Sequence, residues 1–277
     1  MSDTGIRRVA LADATLDVDV RGTGEVVVLI QTGLVADECA PLAERLALRH
    51  GFRTVRYHRR GYGGSSPDRG PGSIDRDALD CARLLAALEI ESAHVVGLSY
   101  SGAVALQLAA TVPACVRTVS LIEPPPVHIP AATEFRAANA QLVETYRRHG
   151  PVAALDQFMT RTIGADWRRT MDELLPGSVA GLEGDADTFF GADLPALLSW
   201  HFTAADAATI TEPVLYLGGT VSGSWFAEVR QLVGRWLPHA EEVILPGADH
   251  SLALTHAPQL AAAIAAFLRR HPVLIPS

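Results

Sequence analysis

Two serines and two glycines interrupt an apolar run in the segment His94–Leu108, HVVGLSYSGAVALQL, where a strand pattern gives way to an alanine-rich helical pattern. A serine on such a sharp strand–helix turn has a strained backbone and a presented hydroxyl, which suits a nucleophile. Because strand and helix come close together there, only small residues fit two positions before and two after the nucleophile. Gly97 and Ser101 meet this requirement around Ser99, whereas centring the turn on Ser101 would place that serine inside the helix. We therefore predict Ser99 as the nucleophile.

A serine hydroxyl needs a nearby base to be nucleophilic at neutral pH, and histidine is the usual one. The chain has ten histidines, and His250 stands in Leu245–Leu252, LPGADHSL, between the last predicted strand and the last predicted helix. In a parallel sheet this loop opens at the same edge as Ser99, where the sites of α/β proteins form. His250 is therefore the predicted base. His58, in the segment YHRRG, is expected to support its loop structurally.

The third group that such a site needs is a carboxylate, which fixes the imidazole tautomer and stabilises its cation. Glu123 ends the predicted strand Val116–Ile122 and is followed by three prolines that would hold its loop stiffly. That strand should lie beside the strand of Ser99, so we predict Glu123 as the acid. Asp249 precedes His250 in the chain and is expected to point away. An aspartate from the middle of the chain and a dyad without an acid are the alternatives, although three acids there are expected on the surface: Asp185, Asp187 and Asp193.

The composition excludes several classes of function. The net charge is −8, which argues against nucleic acid as a partner, because phosphate binding needs basic patches. The 277 residues include no lysine, so Schiff-base chemistry and a Walker-type phosphate loop are excluded. Three widely spaced cysteines, predicted to be buried thiols, form neither a disulfide framework nor a zinc pattern: Cys39, Cys81 and Cys115.

The distribution of charge also bears on location and partners. Charges are spread through the first thirty residues, so no signal peptide is expected. No stretch approaches the roughly 20 uncharged apolar residues of a membrane span. We expect a soluble cytoplasmic protein with a small-molecule substrate, without a membrane partner and without a metal or cofactor. A homodimer remains an open alternative.

Strand patterns alternate with helical patterns over most of the chain. Ile6–Leu11 and Ala14–Val20 predict an antiparallel opening pair, and Glu25–Ile30 is an unbroken run typical of a strand buried on both faces. The alternation predicts an α/β fold with a doubly wound, mostly parallel sheet. The remaining predicted strands are Arg53–Tyr57, Ala93–Val96, Val116–Ile122, Val214–Leu217 and Glu241–Leu245, and the predicted helices of this part are Asp37–Leu48, Ile74–Leu88, Tyr100–Thr111, Phe226–Trp236 and Pro258–Arg270.

The alternation breaks after the sixth strand, at Pro124–Pro126, and resumes near residue 209. We therefore predict a core of residues 1–124 and 209–277 and a helical cap of residues 125–208. This cap is rich in aromatic residues and would form a lid and much of the substrate pocket. Five of its side chains are predicted to bind substrate: Trp167, Phe190, Trp200, His128 and His201.

The turn Gly97–Ser101, GLSYS, resembles the G-x-S-x-G nucleophile elbow of the α/β-hydrolase family, with Ser101 where the family usually has glycine. The resemblance implies the α/β-hydrolase fold, a catalytic histidine in the loop of His250 and an oxyanion hole made of two backbone amides. One of these is the amide of Tyr100, just after the nucleophile.

The second oxyanion donor should come from the loop after the strand Glu25–Ile30. Relatives often read His-Gly-x there, whereas this chain reads QTGL in Gln31–Leu34. Because the glycine Gly33 is present, the resemblance implies that the amide of Leu34, next to it, is the second donor.

Most members of the family carry the acid after the strand that follows the cap. Here that segment, Pro213–Trp225, contains no carboxylate, and Ser222 stands near the expected position. Some α/β-hydrolases, including the fungal zearalenone lactone hydrolases, use a glutamate after the preceding strand. The order Ser99, Glu123, His250 resembles theirs, as does the loop QTGL loosely.

These features predict a serine hydrolase that cleaves a carboxylic ester or lactone of a medium-sized, apolar molecule through an acyl-enzyme. Two alternatives stay open, because the fold does not fix the reaction. One is an enzyme of the same fold that cleaves C–C bonds or cyclises a polyketide-like substrate. The other is a member that binds a ligand without turnover.

Overall fold

Eight strands form one sheet in the computed structural model, which describes residues 5–68 and 70–273. Their order across the sheet is β1-β2-β4-β3-β5-β6-β7-β8. The strand β2 is antiparallel to both of its neighbours, β1 and β4, and every other pair of neighbouring strands is parallel. The doubly wound, mostly parallel sheet is thus confirmed. The strands are β1 (Arg7–Ala10), β2 (Thr15–Arg21), β3 (Val26–Ile30), β4 (Arg53–Tyr57), β5 (Ala93–Leu98), β6 (Val116–Ile122), β7 (Val214–Gly219) and β8 (Glu241–Leu245).

The central strands are apolar because helices cover both of their faces. Every residue of β5 and all but the first of β3 are buried. In the register of the parallel pairs, Leu98 lies opposite Ile122, and Ile122 lies opposite Leu217. The carboxyl ends of β5, β6 and β7 therefore lie side by side, so the residues that follow these strands meet at one edge of the sheet.

Helices pack on both faces of the sheet. Leu46 of α1 and Ile264 of α12 share an apolar cluster with β3 and β5 on one face, whereas Leu84 of α2 and Val104 of α3 belong to the cluster on the other. Among the described residues, every helix is too short or too polar to span a lipid bilayer. These helices are α1 (Ala40–His50), α2 (Ile74–Ala87), α3 (Tyr100–Thr111), α10 (Ser224–Trp236), α11 (Leu252–Thr255) and α12 (Ala257–Arg270).

Residues 125–208, here called the insert, join β6 to β7 and are helical. Their helices build a third apolar cluster of their own, and Leu34 from the loop after β3 packs into it. A π-helical turn at Phe189–Asp193 lies between the fourth and fifth of these helices. The helices are α4 (Ala132–His149), α5 (Pro151–Thr162), α6 (Trp167–Leu174), α7 (Ser178–Thr188), α8 (Leu194–Ser199) and α9 (Ala204–Ala207).

Several predicted bounds are wrong by a few residues. The strand predicted to end at Val96 continues to Leu98, and α1 begins at Ala40 rather than Asp37 because Pro41 occupies its first turn. The short helix α11 is not predicted by the sequence pattern, since four residues carry no helical period. These shifts leave the site residues at the strand ends where the pattern places them.

Candidate active site

Ser99 lies on the turn between β5 and α3, with φ 49° and ψ −117°. A non-glycine residue rarely adopts a positive φ, so the surroundings must hold this conformation. The Ser99 N–H donates to the carbonyl of Ile122 at 3.0 Å, and its own carbonyl accepts from the Gly102 N–H at 2.8 Å. A Cβ on Gly97 would come within 2.3 Å of the Ser101 carbonyl oxygen, which explains the glycine two positions before Ser99.

Ser101 closes this turn and is not presented to substrate. Its side chain is fully buried, donates to the Leu98 carbonyl at 2.9 Å and accepts from the Leu98 N–H at 2.9 Å. The same carbonyl accepts from the Thr32 hydroxyl at 2.9 Å, which ties the loop after β3 to the elbow. Of the two serines, only Ser99 is partly exposed.

Glu123 and His250 are in direct contact. One carboxylate oxygen of Glu123 lies 2.7 Å from Nδ1 of the imidazole, and the other accepts from the Gly219 N–H at 2.8 Å. Glu123 is 1% exposed, so its charge is satisfied by these two partners rather than by water. It has φ 41°, and its N–H donates to the Leu217 carbonyl at 3.0 Å. The imidazole of His250 stacks on Phe226, with ring centroids 4.0 Å apart.

The order of the strands brings the three predicted catalytic residues to one edge of the sheet. Ser99 follows β5, Glu123 follows β6 and His250 follows β8, while Gly219 at the end of β7 lies between the last two. The hydroxyl of Ser99 makes no hydrogen bond to any described residue, and Nε2 is the imidazole nitrogen that Glu123 leaves open. Such contacts often tighten only when substrate binds.

The segment after β7 lacks the acid that relatives carry there, and the structure shows how the space is used. The Glu123 carboxylate reaches the end of β7 and holds the Gly219 amide. The Ser222 hydroxyl is buried without a hydrogen-bond partner in the described parts of the chain. Asp249 is exposed and accepts from the Ser251 N–H at 2.9 Å, so it turns away from the imidazole.

The prediction of Leu34 as an oxyanion donor is corrected by the structure. Its N–H donates to the Tyr62 hydroxyl at 3.1 Å and is therefore occupied. The amides of Gly33 and Tyr100, by contrast, have no acceptor among the described residues. These two amides flank the elbow and form the candidate oxyanion pair.

A buried ion network lies behind this pair. The Arg59 guanidinium donates to Asp77 at 2.7 Å and to both oxygens of Asp193 at 3.0 and 2.5 Å. All three residues are at most 3% exposed. Burial raises the pKa of Asp77 to about 6; the nearby charge of Asp193 adds to this shift, whereas Arg59 opposes it. The expectation that Asp193 lies on the surface is thus wrong, because Arg59 and Tyr62 draw it into the interior.

Four of the five side chains predicted to bind substrate pack elsewhere. Trp167 is buried in the core of the insert and donates to Asp156, and Phe190 is fully buried in the same cluster. Trp200 donates to the Gln107 side chain at 3.0 Å and belongs to the apolar cluster on the sheet face that α2 and α3 cover. The ring of His128 packs against it. These positions argue against contact with substrate, since Trp167 and Phe190 stabilise the insert's own core and Trp200 and His128 stabilise its packing on the rest of the protein.

The fifth, His201, is exposed in the segment between α8 and α9. No contact in the described residues brings it to Ser99 or His250. The prediction of a substrate contact by His201 therefore finds no support in the structure.

Three residues near the site carry no motif and are found only in the structure. Phe189 of the insert covers the oxyanion loop so closely that a Cβ on Gly33 would come within 2.9 Å of its ring. Phe226 supports the imidazole of His250. Burial raises the pKa of the Glu38 carboxyl to about 7, while the charge of His250 opposes the shift.

Two cavities lie beside the site. A cavity of about 170 Å³ separates Leu34, Ala36 and Asp37 from α7, where Gly181 and Leu182 line it. A larger groove of about 570 Å³ runs between β7, α10 and β8 and is lined by Ser222, Phe226 and Arg230 among others. The smaller cavity adjoins the oxyanion loop and is bounded by the insert.

Residues 33–263 match the family model described as the alpha/beta hydrolase family. A protein of Azorhizobium caulinodans named as a carbamate hydrolase, RutD, is 36% identical over 111 residues, which cover 40% of this chain and 41% of that protein. The match thus spans about two fifths of the relative's length.

Two solved structures have the same fold. An esterase of Thermogutta terrifontis superposes with a TM-score of 0.80 at 20% identity, over 96% of this chain and 99% of that one. An enol-lactonase of Burkholderia xenovorans LB400 gives a TM-score of 0.74 at 23% identity, over 95% and 100% of the two chains.

Proposed function

The chain is an enzyme of the α/β hydrolase family, and we propose that it is a serine hydrolase that cleaves a carboxylic ester or lactone through an acyl-enzyme. The observation that carries this proposal is the hydrogen bond between the buried Glu123 carboxylate and His250, at the sheet edge to which the elbow brings Ser99. A histidine held by a buried carboxylate is the arrangement that activates a serine hydroxyl.

The chemistry follows from the groups present. Nε2 of His250 takes the proton of Ser99 as the hydroxyl oxygen attacks the carbonyl carbon, while Glu123 holds the Nδ1–H and stabilises the imidazolium. The amides of Gly33 and Tyr100 stabilise the negative charge that develops on the carbonyl oxygen. His250 then returns the proton to the leaving alcohol, and water releases the acyl group by the same steps in reverse.

The substrate is proposed to be medium-sized and apolar. Leu34, Ala36 and Leu182 give apolar surface to the cavity beside the oxyanion loop, which Asp37 and Asp185 also line, and Phe189 closes over Gly33. The insert thereby contributes the surface that selects the substrate. Enol-lactones belong on the test panel because of the structural likeness to an enol-lactonase, and carbamates because of the relative named as a carbamate hydrolase.

A fluorophosphonate probe tests the nucleophile. We expect one adduct by intact mass on the wild-type protein and none on Ser99→Ala. Ser101→Gly is the matched control and should keep its adduct, since Ser101 is buried below the turn. An adduct on Ser99→Ala, or none on the wild type, would refute the acyl-enzyme.

A substrate panel then tests the reaction class. Alkanoyl esters, lactones, carbamates and vinylogous 1,5-diketones are compared by kcat/KM. Preference for esters or lactones supports the proposal, and preference for the diketones identifies a C–C hydrolase instead. A labelled serine without turnover of any panel member would indicate a binding protein.

A further inference from the structure

The oxyanion loop contains a strained turn that something must hold in place. Leu34 has φ 66°, and the Val35 N–H donates to the Gly33 carbonyl at 2.8 Å, two residues back. This is a γ-turn of the hand that L-residues avoid, because the side chain crowds the backbone. The turn adjoins Gly33, whose amide is a candidate oxyanion donor.

Tyr62 holds one side of this turn. Its hydroxyl accepts from the Leu34 N–H at 3.1 Å and donates to Asp193 at 2.5 Å. A hydroxyl has one proton, which Tyr62 donates to Asp193. The lone pairs of the hydroxyl oxygen are therefore available to accept from the Leu34 N–H. Tyr62 belongs to the loop after β4, whereas Asp193 belongs to the insert.

Arg59 holds the other side. Its five N–H groups all have acceptors: Nε donates to the Gln31 carbonyl at 3.1 Å, and the two terminal nitrogens donate to Asp77, Asp193 and the Thr32 carbonyl. The Arg59 guanidinium also lies 4.2 Å above the ring of Tyr100, the other residue of the oxyanion pair.

Arg59 and Tyr62 hold the two peptide groups on either side of Gly33. The Thr32 carbonyl, 3.3 Å from Arg59, shares a planar peptide with the Gly33 N–H. The Leu34 N–H, bound by Tyr62, belongs to the next peptide. Because a trans peptide is rigid, fixing these two atoms fixes the direction of the Gly33 N–H. Asp193 is the one residue of the insert that pairs with both Arg59 and Tyr62.

We propose that Tyr62, Arg59 and Asp193 are positioning residues, through which the docked insert holds the Gly33 amide in its oxyanion-binding direction. The inference rests on the proposed acyl-enzyme chemistry. On this proposal the insert helps to stabilise the transition state, through Asp193, as well as forming part of the substrate pocket. Removing the Tyr62 hydroxyl or the Asp193 charge should then weaken the transition state more than substrate binding.

The test compares Tyr62→Phe with Tyr146→Phe. Both tyrosines donate to an aspartate, but Tyr146 pairs with the exposed Asp187 of the insert, and its hydroxyl makes no hydrogen bond to the oxyanion loop among the described residues. We expect kcat of Tyr62→Phe to fall about 10- to 100-fold with KM changed less than threefold, and Tyr146→Phe to keep wild-type values. Losing an oxyanion donor outright costs about 10²–10³, and a misaligned donor costs less.

A trifluoromethyl ketone, which forms a tetrahedral adduct on serine, separates positioning from general loosening. Its affinity for Tyr62→Phe should fall by the same factor as kcat, while the affinity for an unreactive ether analogue of the substrate stays unchanged. If Tyr62→Phe folds poorly, Asp193→Asn takes its place and should show the same difference between the ketone and the ether. Equal losses for the ketone and the ether, or an unchanged kcat in both folded variants, would overturn the proposal.

The same experiment separates this inference from the function on which it rests. If wild-type protein cleaves no ester and takes up no phosphonate, both fail. If the wild type does both and Tyr62→Phe behaves like Tyr146→Phe, only the positioning role fails.

Discussion

Glu123 Oε2 lies 2.7 Å from Nδ1 of His250, although 127 positions separate the two residues in the chain. The contact is possible because β6 and β7 are neighbours and the glutamate arm spans the end of β7, where it also binds Gly219. A carboxylate thus reaches the imidazole from a strand end closer to the nucleophile than the position after β7.

Changing Glu123 to glutamine should reduce kcat about 10²–10⁴-fold, because an amide allows the wrong imidazole tautomer. The amide oxygen can still accept from the Gly219 N–H, so the melting temperature should change little. Steady-state kinetics on the best panel ester provides the measurement. Near-normal turnover would show that the acid lies elsewhere or that none is needed.

A second carboxylate placed after β7 should restore part of this loss. The Ser222 hydroxyl is buried without a described partner, near the position where the family resemblance implies an aspartate. The double variant Glu123→Gln, Ser222→Asp is therefore expected to exceed Glu123→Gln in kcat. Ser222→Asn in the same background is the matched control, since it has the same shape without the charge, and equal activity of the two double variants would contradict the explanation.

Ser101→Ala should destabilise the protein by about 1–3 kcal/mol, since it leaves the buried Leu98 N–H without the acceptor that Ser101 provides. Phosphonate labelling of Ser99 should persist in the folded variant. Urea unfolding and intact-mass labelling measure the two effects. A stable variant that labels no serine would show that Ser101 acts in the chemistry itself.

Glu38 should make the protein less stable as pH rises. Its pKa is about 7 in the folded state against an ordinary value of 4.5, because burial disfavours the carboxylate. Between these values the folded state holds a proton that the unfolded chain has released, so this group lowers the free energy of unfolding from about pH 4.5 to about pH 7. Glu38→Gln removes that loss, and its stability gain over wild type should grow across this window and level off above it.

Urea titrations at pH 5 and pH 8 test this prediction. The exposed Glu44 in α1 supplies the control, and Glu44→Gln should show no comparable growth. A stability difference between Glu38→Gln and wild type that is the same at both pH values would refute the assignment.

Filling the cavity beside the oxyanion loop should shorten the preferred acyl chain. Gly181 lines this cavity and Gly184, one turn along α7, does not. A Cβ meets nothing within 4 Å at either position, and both substitutions to leucine raise helix propensity. We expect Gly181→Leu to lower kcat/KM for octanoyl esters about 10-fold with little effect on acetyl esters. Gly184→Leu should match the wild type on both, and equal profiles for the two variants would place the substrate elsewhere.

The residues that the sequence predicts well are those fixed by short-range geometry. The small-residue rule identifies Ser99 because the glycine at position 97 and the residue at 101 belong to the same turn. The positions of Glu123 and His250 follow from the order of strands, since Glu123 comes directly after β6 and His250 lies in the loop after β8. Neighbouring strands of a parallel sheet bring such residues together regardless of side-chain detail.

The residues that it predicts poorly depend on long-range packing. The Leu34 amide looked free because the partner that occupies it, Tyr62, follows a different strand. Trp167 and Phe190 are aromatic, which fits a pocket or a helical core equally well, and only the folded insert decides between them. Asp193 carries the charge of a surface residue and is buried because Arg59 neutralises it.

Ser99 and Glu123 both precede the insert in the chain, and His250 follows it by more than forty residues. Replacing the insert with a helical segment from another protein would therefore leave the spacing between the serine and the glutamate untouched. Such a graft would still lose Asp193, and with it the partner of Tyr62 and Arg59 beneath the oxyanion loop. If the proposed positioning role of Asp193 holds, a transplanted segment would have to bring a carboxylate to that position in addition to forming its own pocket.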